Sequence, residues 1–152
     1  MAYTTKDARQ QLLTSIAAAI EELGVAVAAL GEAYEQLDER SADKLEEDLF
    51  RPVQLAYGRA KRTHAAFADR HDLEGRAFEP VVPGAPSSGV KGFLESAVES
   101  AAKADSLLAT LQDSMLPVEV GDAELRAGLA EVRTLVADLP ARAHQLLRTF
   151  GR

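Results

Sequence analysis

The large apolar residues of this 152-residue chain recur at gaps that alternate between three and four. That spacing keeps them on one stripe of an α-helix, and two such stripes bury each other when helices pack at a shallow, left-handed crossing angle. The stripe of the first segment is Leu13, Ile16, Ile20, Leu23, Val27, Leu30, Tyr34 and Leu37. The pattern recurs over about 42–71, 89–116 and 122–150, so the sequence predicts an all-α protein with four long helices.

Local signals mark the ends of these helices. Thr4 or Thr5 is suited to cap the first helix and Asp122 the fourth, because a short polar side chain accepts a hydrogen bond from a free amide of the first turn. Pro52 and Pro140 lie inside the second and fourth helical patterns. Each removes a backbone donor and crowds the preceding turn, so we expect a kink at both prolines.

The connections between the helices leave the topology open. Short turns near residues 40 and 118 predict two antiparallel hairpins, whereas the Pro- and Gly-rich stretch 72–88 is long enough to turn back or to cross the bundle. We expect an antiparallel four-helix bundle in simple up-down-up-down order, forming a single domain over residues 1–152. A crossover connection is the alternative.

Composition narrows the classes of partner and compartment. The net charge is −7, which disfavours binding to a phosphate backbone, so we expect no nucleic-acid partner. The absence of cysteine fits a reducing compartment. The apolar run 16–33 contains Glu21 and Glu22 and is rich in alanine, which we expect to be too weak for a membrane span. With no export signal at its start, the sequence predicts a cytoplasmic protein with no membrane contact.

The templates for catalysis and metal binding in helical bundles do not fit this sequence. A di-iron bundle needs Glu-x-x-His, but the residues three before the histidines are Lys61, Ala68 and Ala141. Neither a Gly-x-Ser-x-Gly elbow nor a glycine-rich phosphate loop occurs. We therefore expect no catalytic residue, no metal and no cofactor, and a non-enzymatic role, with a helical enzyme as the least favoured option.

One histidine lies on an otherwise apolar stripe. In the up-down-up-down layers His64 falls near Ala97 and Ala143, one heptad after Tyr57, and these small neighbours would leave a cavity for a small apolar ligand. The plainer interpretation is a histidine hydrogen-bonded within the core or at its edge. The candidate cavity is therefore His64, Tyr57, Ala97 and Ala143.

The outward side of the first helix carries apolar residues where charges are usual. Val25, Ala28 and Ala29 lie there, which predicts either a neighbouring segment that wraps the helix or a second subunit. Our leading prediction is a module that acts through protein contacts, as a homodimer through Val25, Ala28 and Ala29. The alternative is a ligand-binding or sensory bundle with its cavity near His64.

Overall fold

The computed structural model describes residues 4–79, 81–82 and 89–150, and the predicted all-α class is confirmed for these residues. The elements are α1 (Thr5–Glu35), α2 (Glu39–Leu45), a π-helical turn (Glu46–Phe50), α3 (Arg51–Arg70), α4 (Gly89–Asp113), α5 (Leu116–Glu119), α6 (Ala123–Val136) and α7 (Leu139–Phe150). The apolar stripes meet in one cluster of buried side chains that draws on α1 to α4, α6 and α7.

The helix starts follow the predicted capping signals. Thr4 accepts a hydrogen bond from the Asp7 amide at 3.0 Å, and Asp122 accepts one from the Leu125 amide at 2.7 Å. The first turn ends earlier than predicted, because Asp38 caps α2 by accepting from the Ser41 amide at 2.8 Å.

Both prolines inside the predicted helices lie at the second residue of a helix. Pro52 directly follows the π-helical turn, and the flanking residues Phe50 and Arg51 keep right-handed helical dihedrals. Pro140 is the second residue of α7, after the break at 137–138 that separates α7 from α6. At the start of α7, Pro140 removes a donor that has no intrahelical partner anyway. At Pro52 the chain stays helical across the π-helical turn, in which the Arg51 amide donates to the Glu46 carbonyl. The sequence signals therefore mark a helix break at Pro140 and a π-helical irregularity at Pro52, while a change of axis direction at either proline stays a prediction.

Helix α1 packs most extensively against α4, and the two are antiparallel. Near the start of α1, Arg9 Nε donates at 2.9 Å to the carbonyl of Val120, which follows α5, the short helix after α4. At the other end, a Cβ on Gly89 would lie 3.7 Å from the Gln36 side chain. The end of α1 thus meets the beginning of α4.

Helix α3 packs mainly against α6 and then against α1. It is antiparallel to α1, because Gly24 lies beside Tyr57 whereas Leu13, earlier in α1, lies beside His64, later in α3. It is also antiparallel to α6. Arg59 pairs with Glu131, whereas Arg70, later in α3, pairs with Asp122 at the start of α6. Since α1 is antiparallel to both α3 and α4, these two helices run in the same direction.

The simple up-down-up-down order is therefore wrong, and the crossover alternative describes the chain. Two parallel neighbours in sequence require a connection that returns along the length of the helices. The return begins where Asp72 adopts a left-handed conformation (φ 53°) and the Leu73 amide donates to the Ala68 carbonyl at 2.8 Å, which closes α3 as a Schellman motif. We call residues 73–79 and 81–82 the crossing segment. The remainder of the predicted loop, residues 80 and 83–88, lies outside the described residues.

Helix α1 is long and apolar enough to cross a membrane by length and composition alone. The mean hydropathy of its most apolar 18-residue window is 1.7, so the expectation that this run is too weak for a span is wrong. The alanines that we discounted raise that value. A buried core helix meets the same test, and 56% of the window is buried against the rest of the chain. The cytoplasmic location stays a prediction.

Candidate functional site

A cavity of about 280 Å³ lies under the crossing segment, against α1 and α3. Its other lining residues are His64 from α3 and Glu74 and Arg76 from the crossing segment. Helix α1 supplies one wall through Gln10, Leu13, Thr14, Ala17, Ala18 and Glu21. Several of these α1 side chains are short, and this leaves open space beside the histidine.

His64 is the central polar group of this cavity. The side chain is 3% exposed, and its Nδ1 atom has no hydrogen-bond partner among the described residues. The imidazole forms a T-shaped contact with Phe78 of the crossing segment, with the ring centroids 5.2 Å apart and the planes at 87°. A buried polar nitrogen without a partner is uncommon in native proteins and marks a place where a further hydrogen bond fits.

The surroundings of His64 favour the neutral imidazole. Burial lowers its pKa from the ordinary value of 6.5, and the charge of nearby Arg76 lowers it further, while the Leu13 backbone carbonyl opposes both by raising it. The net direction is downward, so the ring is neutral at pH 7. A neutral imidazole carries one N–H donor and one bare acceptor nitrogen.

Arg76 holds the crossing segment against α1. Its guanidinium pairs with Glu21 of α1 and stacks over the Phe78 ring at 4.7 Å from the centroid. Both members of the ion pair are about half exposed, so the pair by itself adds little stability. Further along, Val81 lies against α1 where Gly24 leaves room, since a Cβ there would lie 3.2 Å from the valine methyl.

The structure separates the four residues predicted to form the cavity. Tyr57 lies one heptad before His64 on α3, half-buried beside Gly24, and Lys61 Nζ lies 4.1 Å above its ring. It does not line the cavity.

Ala97 and Ala143 are buried in the opposite half of the molecule. The neighbour of Ala143, Arg142, donates to the Asp48 carbonyl at 3.3 Å, and Asp48 precedes His64 by roughly 24 Å along the helix at 1.5 Å per residue. Ala97 lies two turns into α4, which begins beside Gln36 at the far end of α1. Their predicted place beside His64 is wrong because it assumed up-down-up-down layers.

The predicted interface residues do not share one free surface. Ala29 is 3% exposed and belongs to the core, so its predicted place on an outer face is wrong. Val25 and Ala28 are half-buried. Other small residues of α1, Ala19, Ala26 and Ala33, are likewise buried. These buried small side chains of α1 serve close packing within the chain.

A polar cluster that the sequence did not reveal joins the end of α3 to the start of α6. Asp122 accepts two hydrogen bonds from Arg70, at 2.7 and 2.8 Å, and lies 2.9 Å from His71 Nε2. Burial raises the pKa of Asp122, but the hydrogen bonds from Arg70, the Leu125 amide and His71 outweigh it and lower the pKa to about 2. The sequence signal was the cap at Asp122 alone, since the partners come from a different helix. Both carboxylate oxygens of Asp122 are hydrogen-bonded, which is typical of a structural contact.

A larger cavity, of about 440 Å³, lies between the start of α4 and the end of α7. Val90, Leu147 and Phe150 form its apolar part, and its lining side chains are all half-buried or exposed. Within the described ranges no group of three or more His, Asp or Glu side chains is placed to hold a metal ion. The His64 cavity therefore carries the clearer chemical signal.

Comparisons with protein-family models, with curated proteins and with solved structures found no match for this chain.

Proposed function

We propose that this protein is a non-enzymatic helical module that binds a small molecule in the His64 cavity. The observation that carries the proposal is the buried imidazole of His64, which lines the cavity and whose Nδ1 atom has no partner among the described residues. A buried polar group that lacks a hydrogen bond costs about 1–3 kcal/mol. A bound ligand that bonds this nitrogen would offset that cost.

The cavity also sets the size of the ligand. Its volume of about 280 Å³ lies just below the range of roughly 300–1,000 Å³ that drug-sized ligands occupy, so the ligand is small. Leu13, Ala17 and Ala18 give it an apolar contact on α1. The crossing segment closes the other side through Arg76, which makes binding dependent on the connection that packs over α1.

A cytoplasmic location and the absence of a membrane contact belong to the same proposal. The burial of more than half of the apolar window of α1 inside the chain supports this part of the proposal. No step of the proposal needs a nucleic acid, a metal or a catalytic residue.

A thermal-shift screen of small polar and apolar metabolites tests this function. Compounds that stabilise the unmodified chain are expected to lose their effect on His64→Leu and to keep it on His144→Leu, because His144 is exposed and lies outside the cavity. A screen without stabilising compounds, or hits that act equally on both variants, would contradict the proposal.

Self-association is a second proposal, supported by the partial exposure of Val25 and Ala28 on α1. This proposal has less support than the first, because Ala29 is buried and Val81 packs beside the same part of the helix. Sedimentation equilibrium is expected to show a homodimer that Val25→Glu or Ala28→Glu weakens and Ala65→Glu, at an exposed site on α3, does not. A monomeric unmodified chain would remove this proposal.

A further inference from the structure

We propose that the crossing segment is an acid-released cover of the His64 cavity, and that protonation of the His64 ring detaches residues 73–79 from α1. The inference rests on the proposed function, because it assigns a form of regulation to the same site, but its test needs no ligand. Two observations carry it: the way the crossing segment encloses the imidazole, and the charges that face the ring.

The crossing segment encloses the imidazole but is itself held lightly. Phe78 makes the T-shaped contact with the ring, and the His64 side chain is 3% exposed. Within residues 73–79, however, only Leu73 and Phe78 are half-buried, and the others are exposed. A stretch with so few buried contacts opens at a low free-energy cost while the helices stay folded.

Protonation changes what the ring needs from its surroundings. In the imidazolium both nitrogens carry a hydrogen and both act as donors. Whichever nitrogen holds the hydrogen of the neutral ring, the protonated ring places a charged N–H at Nδ1, for which no described residue provides an acceptor. Release of the crossing segment admits water to this donor. The closed arrangement, with the segment packed on α1, therefore favours the neutral ring, and the released arrangement favours the charged one.

The charged groups that face His64 act in the same direction. From the crossing segment they are Arg76 and Glu74, and from α1 the group is Glu21, which is already paired with Arg76. Glu74 is exposed at the rim, where solvent screens its charge. Burial and then the positive charge of Arg76 lower the pKa of the ring. An imidazolium in the closed state would therefore be buried close to a second cation.

Several other charged groups of α3, and the groups of α6 that meet them, have partners of their own. These contacts are Lys61 over the Tyr57 ring, His71 with Asp122, Arg70 with Asp122 and Glu124, and Arg59 with Glu131. As a second histidine on α3, His71 is the competing candidate for an acid response and needs a control.

Acid shifts the balance towards the released segment. The pKa of His64 in the closed state is below the ordinary value of 6.5 that a solvated ring has. The ratio of released to closed protein therefore rises as the pH falls through 6.5. Because a single proton is involved, the rise is at most about tenfold for each pH unit.

NMR of the free protein at pH 7.5 and pH 5.5 tests the inference. Carboxyl groups ordinarily titrate about two units below histidine, so this range isolates the histidines. At pH 7.5 we expect nuclear Overhauser effects between the rings of His64 and Phe78 and between the Val81 methyls and Gly24. At pH 5.5 these should weaken, and the released-to-closed ratio, measured from the Val81 methyl shifts, should rise by up to about tenfold. Contacts between α3 and α6 are expected to persist.

A matched pair of histidine variants identifies the titrating group. His64→Leu is expected to abolish the difference between the two pH values, because no charge then develops under the crossing segment. His71→Asn is expected to retain it, because His71 lies beside Asp122 rather than in the cavity. A response that survives His64→Leu would overturn the inference, as would one that is lost in His71→Asn.

A disulfide across the contact gives a second measurement that keeps His64 in place. A Cβ at Gly24 would lie 3.2 Å from a Val81 methyl, so Gly24→Cys and Val81→Cys bring two thiols within reach of each other in a chain that has no other cysteine. The oxidised variant is confined to the closed state. Its His64 pKa is expected to be lower than in the reduced form of the same variant, since coupling between protonation and release is reciprocal. Equal pKa values in the two forms would overturn the inference.

The outcomes separate this inference from the function on which it rests. If the contacts of Phe78 and Val81 are the same at pH 7.5 and pH 5.5, the acid release fails, and the cavity stays a candidate ligand site for the thermal-shift screen. If release is observed but the screen returns no stabilising compound, the proposed function fails and the acid response of the crossing segment stands.

Discussion

The two sides of α3 have opposite character. Towards α6, Thr63 Oγ1 donates to the Arg59 carbonyl at 2.8 Å and packs where Gly128 has no side chain, and Arg70 is bound by Asp122. Towards α1 and the crossing segment, His64 keeps an unpartnered nitrogen beside a cavity. One helix thus separates a closed contact, where Thr63 and Arg70 are hydrogen-bonded, from an open side where a buried nitrogen has no partner among the described residues. We propose that the first side stabilises the fold and that the second binds a ligand.

The largest expected effect on stability comes from a substitution in the closed contact. A Cβ on Gly128 would lie 2.3 Å from Thr63 Oγ1 and 2.8 Å from its Cγ2, and this buried, β-branched side chain has little room to move. Gly128→Ala is therefore expected to lower the free energy of unfolding by about 2–3 kcal/mol, the upper range for overpacking. Urea denaturation followed by circular dichroism measures it.

Gly31→Ala is the matched control for that substitution. The added Cβ would lie 3.7 Å from the Phe50 ring, an ordinary contact, so the higher helix propensity of alanine is expected to leave stability unchanged or to raise it by up to about 1 kcal/mol. Equal effects of the two substitutions would refute the view that Gly128 of α6 is packed tightly against Thr63 of α3.

The next largest loss of stability is expected in the polar cluster at Asp122. Asp122→Ala removes a helix cap and the partner of Arg70 and His71, and we expect a loss of about 2 kcal/mol. Because the folded-state pKa is lowered from 3.8 to about 2, this contribution is complete above pH 3.8 and is lost as the pH falls towards 2. Unfolding curves of both proteins between pH 6 and pH 2 should converge in that window.

The open side is expected to respond in the opposite direction. His64→Leu removes an unsatisfied buried nitrogen, so we expect the free energy of unfolding to rise by about 1 kcal/mol at pH 7.5. Since the folded-state pKa of His64 is lowered, the unfolded chain binds the proton more readily, and the unmodified protein loses stability as the pH falls below 6.5. The variant should lack that decline, and a variant less stable than the parent at both pH values would argue for a purely structural histidine.

The smallest effect concerns the crossing segment. Arg76→Ala breaks an exposed ion pair with Glu21 and a contact with Phe78, which is expected to cost about 0.5 kcal/mol or less in stability. It is expected to speed hydrogen exchange of amides in 73–79 while leaving those of α6 unchanged. If Arg76→Ala changes the exchange rates equally in 73–79 and in α6, then Arg76 does not hold the crossing segment.

The sequence predicted what depends on local spacing and missed what depends on topology. The alternating gaps and the caps at Thr4 and Asp122 act within a few residues, so the helices were found close to their true ends. Apolar stripes have no direction along the axis, and either order of four helices buries them. The spacing therefore did not reveal that α3 and α4 run in parallel.

The errors at individual residues follow from that one ambiguity. Ala97 and Ala143 were placed beside His64 by folding the second hairpin in the wrong direction, and Ala29 was assigned to a surface that the chain itself buries. His64 was identified correctly as the unusual polar group of its stripe, because a titratable residue among apolar ones is visible in the sequence. Its neighbours Arg76 and Phe78 come from the crossing segment, whose path no periodic pattern specifies.

The most direct test of the central claim is the pKa of His64, followed by NMR in the free protein and with a saturating compound from the thermal-shift screen. A ligand that donates to Nδ1 competes with a proton for the same lone pair. We predict a pKa below 6.5 in the free protein and a lower one in the complex. The same pKa in both states would show that the ligand does not reach His64 and would contradict the assignment of the site.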